Sequence, residues 1–305
     1  MSALRSLILA AADSPRLQRF VQRYGFRLGA ARFVAGESLD AAVPVLRRLN
    51  EQGLLTNTTL LGEGVRDEAE TREVVAAYRE VLDRIHAEGL RTNDALKLTH
   101  LGLSIDEELA QRNAGELVEQ AAQLVNFVRI DMEESAHVDA TLRIYRRLRE
   151  SGHDNVGAVL QSYLFRSEKD LAALLPLVPN LRLVKGAYLE PPEVAYPRKS
   201  DVDAAYVRLL EKSLAAAGFT AVATHDERLI EHAISFAREH GIPKERFQFQ
   251  MLYGVRSRLQ LDLVERGFDV LVAAPYGPEW YRYLMRRLAE RPANVLFLLR
   301  NLVRG

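Results

Sequence analysis

The chain has 305 residues, 48% hydrophobic and 27% charged, enough to fill one large core. Its 41 basic residues balance 41 acidic ones, which removes any electrostatic case for nucleic acid; the absence of cysteine excludes disulfides, a thiol nucleophile and thiolate metal sites. A cytoplasmic setting fits this composition: no apolar run reaches the length of a membrane span, and Leu7 to Ala12, after a single Arg, is too short for a secretory leader.

Residues 1–50 read as a helical arm ahead of the main domain. Within it Arg16, Arg19, Arg23 and Arg27 recur at helical spacing. That stripe reads as a solvated face, with peripheral contact to an anionic membrane surface as the alternative.

From residue 51 to 305 short strand-like stretches alternate with amphipathic segments. Strands are predicted at 55–61, 95–99, 127–132, 156–161, 181–185, 221–224, 247–252 and 270–273. Helices are predicted at 69–87, 105–123, 135–150, 168–177, 201–217, 227–239 and 256–266, with Gly218, Gly241 and Gly267 at their expected ends. Pro191, Pro192 and Pro197 mark a longer loop after the fifth strand. This rhythm predicts an α/β fold, a distorted (βα)8 TIM-like barrel with extra N-terminal helices. An open doubly wound sheet is the alternative, and no Gly-x-Gly-x-x-Gly turn supports it.

Residues 280–290 read as a last helix, lying over the barrel mouth, with Tyr283, Arg286 and Glu290 on one face and Arg287 beside them. Two adjacent guanidinium groups next to an aromatic ring suit a carboxylate. Alternation inside the strands turns polar residues to one side: Lys97 and Thr99, Arg129 and Asp131, Gln248 and Gln250. Near the strand C-termini collect Glu63, Lys97, Asp131, Glu133, Gln161, Arg182, Lys185, Thr224, His225 and Gln250, at the end where such barrels place their sites. Arg182 and Lys185 have opposite parity, so one of them belongs to a loop or a bulge. The seven histidines show no ligand spacing, so no metal site is expected. These residues point to a barrel enzyme for a small carboxylate. A Schiff-base lyase using Lys97 or Lys185 and a non-catalytic amino-acid-binding barrel both stay open.

In this order the segments Leu96-Lys97-Leu98-Thr99, Ile130-Asp131-Met132-Glu133, Leu160-Gln161-Ser162-Tyr163-Leu164 and Arg182-Leu183-Val184-Lys185-Gly186-Ala187-Tyr188 resemble the proline dehydrogenase family. So do Ala223-Thr224-His225, Phe249-Gln250-Met251-Leu252-Tyr253-Gly254, Pro275-Tyr276-Gly277 and Tyr283-Leu284-Met285-Arg286-Arg287-Leu288. The resemblance covers roughly residue 57 to the C-terminus and implies FAD-dependent oxidation of L-proline to Δ1-pyrroline-5-carboxylate, in a monofunctional form.

By that resemblance Asp131 and Arg182 are catalytic, Arg182 placing a cation beside the isoalloxazine. Arg286 and Arg287 would hold the proline carboxylate with Lys97, and Tyr188 and Tyr283 would wall the ring. Met132, Gln161, Arg182, Lys185, Gly186, Ala187, Thr224 and His225 would hold FAD. Glu63 would gate the site by pairing with Arg286. A quinone-type acceptor and a separate pyrroline-5-carboxylate dehydrogenase are the partners implied. Ala273, Leu189, Asp226 and Thr59 depart from the family's frequent tyrosine, tryptophan, asparagine and aspartate, which bears on the pocket wall and flavin surroundings.

Overall fold

The computed structural model describes residues 14, 18–19, 21, 24–26, 29–62 and 64–290, less the side chains of 286 and 288–290. Eight parallel strands close in sequence order into one barrel, β1 pairing with both β2 and β8. The strands are β1 (Leu55–Leu60), β2 (Thr92–Leu96), β3 (Val128–Ile130), β4 (Val156–Gln161), β5 (Asn180–Val184), β6 (Phe219–Ala223), β7 (Phe247–Leu252) and β8 (Val270–Tyr276). The helices are α1 (Leu39–Glu51), α2 (Glu68–Ala87), α3 (Glu107–Gln123), α4 (Val138–Glu150), α5 (Ser167–Leu174), α6 (Lys199–Ala215), α7 (Glu227–Glu239), α8 (Ser257–Glu265) and α9 (Trp280–Glu290). Helices α2 to α8 each follow a strand and return the chain to the next, as a parallel barrel requires.

Local chemistry sets the helix starts. The side chains of Ser38, Asp67, Asp106 and Asp226 each accept a hydrogen bond from a first-turn amide of α1, α2, α3 and α7. The outward residues of the strands, such as Leu96, Ile130, Leu160, Leu183, Val222 and Phe249, are buried against those helices and form the main core. The expected boundary at residue 50 falls inside the last turn of α1, whose Ala42, Leu46 and Leu49 join that same core.

Two differences from the sequence expectation bear on the site. The second strand runs over Thr92–Leu96, three residues earlier than expected, and Thr99 opens a 3-10 turn over Thr99–Leu101. Lys97 and Thr99 therefore stand on the strand-end loop, where the chain is no longer tied to a sheet ladder. The last strand extends three residues further, to Tyr276, because β1 pairs with it that far, and residues 35–36 add to its end: the Ala35 amide donates to Pro275 O at 2.8 Å and Gly36 bridges Tyr276.

A second apolar cluster sits outside the barrel and docks α9. Trp280 (1% exposed), Tyr281, Leu284 and Met285 pack on Ala30, Phe33, Val34 and Leu61. The Trp280 indole donates to Glu37 Oε1 at 2.8 Å and meets Phe26 edge-on, the ring centroids 5.1 Å apart.

Candidate active site

A cavity of about 770 Å³ opens at the C-terminal ends of the strands. A larger one, about 1110 Å³, lies at the opposite end among strand starts and loops such as Asn93, Phe127, Asn155 and Asp269. The smaller is the candidate site, because it gathers the charged groups and lies at the end where barrel strands present their catalytic loops.

Arg182 forms its floor. Residue 182 points inward from β5, buried to 8% exposure, and meets acceptors on β7, on β1 and just past the end of β3. Its Nε donates to Gln250 Oε1 at 2.6 Å, one terminal nitrogen to Asp131 Oδ1 at 2.8 Å and the other to Asn57 Oδ1 at 3.2 Å. Burial pulls its pKa below the ordinary guanidinium value, and Asp131 acts the other way. The Asp131 carboxylate is the more open partner, its side chain 25% exposed at the cavity wall. Deeper in the lumen Arg129 (2% exposed) donates to Ala158 O at 3.0 Å and Asn180 O at 2.8 Å. Burial, then the Arg182 charge, brings its guanidinium down to about 9. It crosses β4 because position 157 is glycine: a Cβ there would lie 2.3 Å from the Arg129 Nη1.

Lys97 lines the cavity from the β2 loop. Beside it Glu133, 2% exposed, accepts from the Thr99 amide at 3.1 Å and its hydroxyl at 2.6 Å, fixing the loop against β3. Burial raises the Glu133 carboxyl, more than the two Thr99 hydrogen bonds lower it.

Lys185 follows the last residue of β5, so its opposite parity to Arg182 is a loop position, as one of the two sequence alternatives had it. Its ammonium bridges Asp203 Oδ1 at 2.7 Å and Asp226 Oδ2 at 3.4 Å. Burial raises Asp203, but hydrogen bonds from Lys185 and Lys199 outweigh it and hold the carboxyl low; Asp226 behaves likewise, held by Arg228 and Lys185. Lys199, Arg228 and Arg256 add cationic side chains to the rim, Arg256 paired with Glu227. Gly186 has φ 113, and a Cβ there would lie 2.4 Å from the Tyr163 ring, so only glycine lets this turn pass over Tyr163. The His225 Nε2 accepts from the Leu252 amide at 2.9 Å, which fixes its tautomer with the proton on Nδ1.

Of the residues singled out from sequence, Lys97, Asp131, Met132, Gln161, Arg182, Lys185, Gly186, Ala187, Tyr188, Thr224, His225 and Arg287 all line this one cavity. Tyr283 lies off the cavity wall, half-buried with the Arg287 guanidinium 5.4 Å from its ring centroid. Glu63 and the Arg286 side chain fall outside the described residues. Sequence reading missed Asn57 and Asp203. Asp203 sits on an ordinary amphipathic helix with nothing local to mark it, whereas Asn57, a polar inward position in a strand, follows the same alternation that marked Gln250.

The cavity suits a flat, polyanionic cofactor. Gln161 is 2% exposed, and its Oε1 has no hydrogen-bond partner while the side chain lines the cavity, so it calls for an N–H donor from a ligand. The rim cations and the backbone turn at Gly186 suit phosphate oxygens. These residues fit a flavin nucleotide.

Comparison with known proteins bears on the family of the chain. The family model described as proline dehydrogenase matches residues 42–300. Proline dehydrogenase of Deinococcus radiodurans is 42% identical, the match covering 99% of this chain and 98% of that protein. Proline dehydrogenase 1 of Bacillus subtilis is 40% identical, covering 99% of both. Among solved structures, proline utilization A from Bdellovibrio bacteriovorus inactivated by N-propargylglycine superposes with TM-score 0.80 at 25% identity, over 86% of this chain and 32% of that one.

Proposed function

The chain belongs to the proline dehydrogenase family, and on that premise we propose that it oxidises L-proline to Δ1-pyrroline-5-carboxylate with FAD as its resident cofactor. The observation that carries this reading is the convergence of Lys97, Asp131, Arg182 and Arg287 on one cavity that Gln161, Lys185 and His225 also line.

The reaction removes a hydride from C5 and a proton from the ring nitrogen, leaving a C=N bond. Bound FAD supplies the hydride acceptor. This chain's own residues bind and orient the substrate. Arg287 and Lys97 supply cations for the carboxylate, to which the sequence adds Arg286. A carboxylate held at one end fixes where C5 lies, so positioning replaces covalent catalysis. Asp131 and Arg182 form an ion pair at the floor, and Arg182 presents positive charge where negative charge would develop on the cofactor. Lys185, Gly186, Ala187, Thr224 and His225 line the portion assigned to the cofactor. Ala273 leaves the pocket wall with only a methyl group at that position. A quinone-type acceptor then collects the electrons. No helix among the described residues is long and apolar enough to cross a membrane.

Visible spectra of the purified protein under anaerobic conditions, before and after L-proline, test the reading. Flavin bands that bleach on addition are expected. Bands that persist would remove proline as the substrate, and protein that carries no flavin even after incubation with FAD would remove the cofactor assignment. Reduction of a Schiff base by borohydride in the presence of a keto acid would instead favour Lys97 or Lys185 as a nucleophile.

A further inference from the structure

We infer that Asn57, on β1, is a positioning residue that fixes the Arg182 guanidinium at the floor of the cavity assigned to the cofactor; the inference rests on the proposed function. Arg182 has five N–H donors, of which Gln250, Asp131 and Asn57 take three. The three acceptors come from β7, the residue that follows β3, and β1, positions spread round the barrel, so together they hold the plane of the group and not merely its distance. Nε and both terminal nitrogens are each engaged, and a guanidinium held at all three nitrogens cannot swing about its last bonds. The two remaining donors are left for a ligand.

Asn57 is itself locked. It is 1% exposed, and its amide nitrogen donates to Asn93 Oδ1 at 2.7 Å and Asn93 O at 3.3 Å. Donation through nitrogen leaves the oxygen to face Arg182, so the Asn93 contact decides which end of the Asn57 amide the guanidinium meets. The chain Asn93–Asn57–Arg182–Asp131 runs from the opposite cavity, where Asn93 lies, to the wall of the candidate site.

The charge count explains why a neutral acceptor stands at 57. Among the three partners of Arg182 only Asp131 is a carboxylate, so one negative charge faces the guanidinium. Asn57 and Gln250 orient it without cancelling its field. A carboxylate at 57 would hold the same geometry and weaken that field. Orientation and charge are thereby separable by substitution.

The test uses FAD-loaded wild type, Asn57→Ala and Asn57→Asp, each measured for kcat, proline KM, thermal midpoint and the midpoint potential of the bound flavin. Asn57→Ala is expected to lose between about tenfold and a hundredfold in kcat, with proline KM within about twofold and the flavin potential more negative than wild type. Asn57→Asp is expected to keep more of the kcat than Asn57→Ala while also shifting the potential negative, because its charge opposes Arg182. Folded Asn57→Ala with wild-type kcat and potential overturns the inference. A fall in thermal midpoint with the potential unmoved overturns it too, since that marks a purely structural residue. If Asn57→Ala does not fold, Asn93→Ser releases the Asn57 amide one step further out and is read by the same potential. Wild type that binds no flavin, or whose flavin proline does not reduce, defeats the proposed function and this inference with it, whereas an active wild type beside an unaffected Asn57→Ala defeats the inference alone.

Discussion

At the scale of single residues the barrel wall contains a carboxyl that the proposed chemistry does not use. Asp94 lies on β2 at 1% exposure, on the outward parity with Thr92 and Leu96, and its Oδ1 has no hydrogen-bond partner. Burial raises its pKa well above the ordinary carboxylate value, and the Asp131 charge adds to this, while a hydrogen bond from the Ala95 amide opposes it. A folded carboxyl that holds its proton more tightly than the unfolded chain makes stability fall as pH rises from about 3.8, the unfolded value, through the raised folded value. Asp94→Asn removes that titration and keeps the shape. We expect it to raise stability at pH 8 by about 1–3 kcal/mol and to change it little at pH 4, checked by denaturant melts at both values. Equal effects at the two pH values would show that Asp94 is ionised in the fold throughout. Position 94 also shows what alternation cannot reveal: Asp94 sits in a strand whose neighbours Ala95 and Leu96 are apolar, and sequence alone does not say that its face is the covered one.

At the scale of elements the eight strands and the helices between them were legible because apolar periodicity changes sharply at each boundary. Helix 227–239 was predicted to the residue, since Asp226 caps its start and Gly241 follows its end. The second strand was misplaced because Leu96, Lys97, Leu98 and Thr99 alternate perfectly, yet pairing with β1 begins at Thr92 and the chain turns after Leu96. Pairing partners are set by the whole barrel, which local alternation does not contain. Asn57 and Asp203 escaped for a related reason: each matters through a partner more than a hundred positions away or on another element, Arg182 for one and Lys185 for the other.

The last helix follows this logic into a prediction. α9 carries Arg287 to the cavity, but its own docking surface is the cluster of Ala30, Phe33, Val34 and Leu61, outside the barrel. Trp280 is the largest group in that joint and reaches Glu37. Trp280→Ala removes about 3–5 kcal/mol of local packing without touching the strands. We expect faster amide hydrogen exchange confined to α9 and residues 30–37, a raised proline KM, and flavin content close to wild type. Exchange that rises equally in β1 to β8 would instead make α9 part of the barrel's own cooperative unit.

At the scale of the whole molecule the outer helices α1 to α8 are tied to their neighbours by a series of ion pairs and, between α6 and α7, a histidine–carboxylate hydrogen bond. Arg84 meets Asp40 between α1 and α2, and Arg79 meets Glu116 between α2 and α3. Arg143 and Arg147 on α4 reach Glu107 and Glu108 on α3, and Arg166 at the head of α5 reaches Asp139 on α4. Arg208 and Lys212 on α6 share Glu168 on α5, His232 on α7 meets Glu211 on α6, and Arg266, just past α8, meets Glu231 on α7. Exposed pairs contribute little one at a time, and their common geometry is what makes them matter. Hydrogen bonds from their basic partners hold Glu107, Asp139, Glu168 and Glu231 below the ordinary carboxylate value. The sign is therefore opposite to that of Asp94. Their contribution is complete above the unfolded values, 3.8 for aspartate and 4.5 for glutamate, and is lost as pH falls through the depressed folded ones. Because the joints lie on the outer ring and the groups proposed as catalytic lie in the lumen, the girdle can be weakened without reaching the site. The double variant Arg166→Gln, Arg266→Gln should melt about one to three degrees below wild type at pH 7, with proline KM unchanged. The gap should narrow as the pH falls below the unfolded values and on through the depressed folded ones, as wild type loses the same pairs. A gap that persists in acid would assign the loss to the packing of the two arginine stems along the helices, and the ion-paired girdle would then have no part in holding the barrel closed.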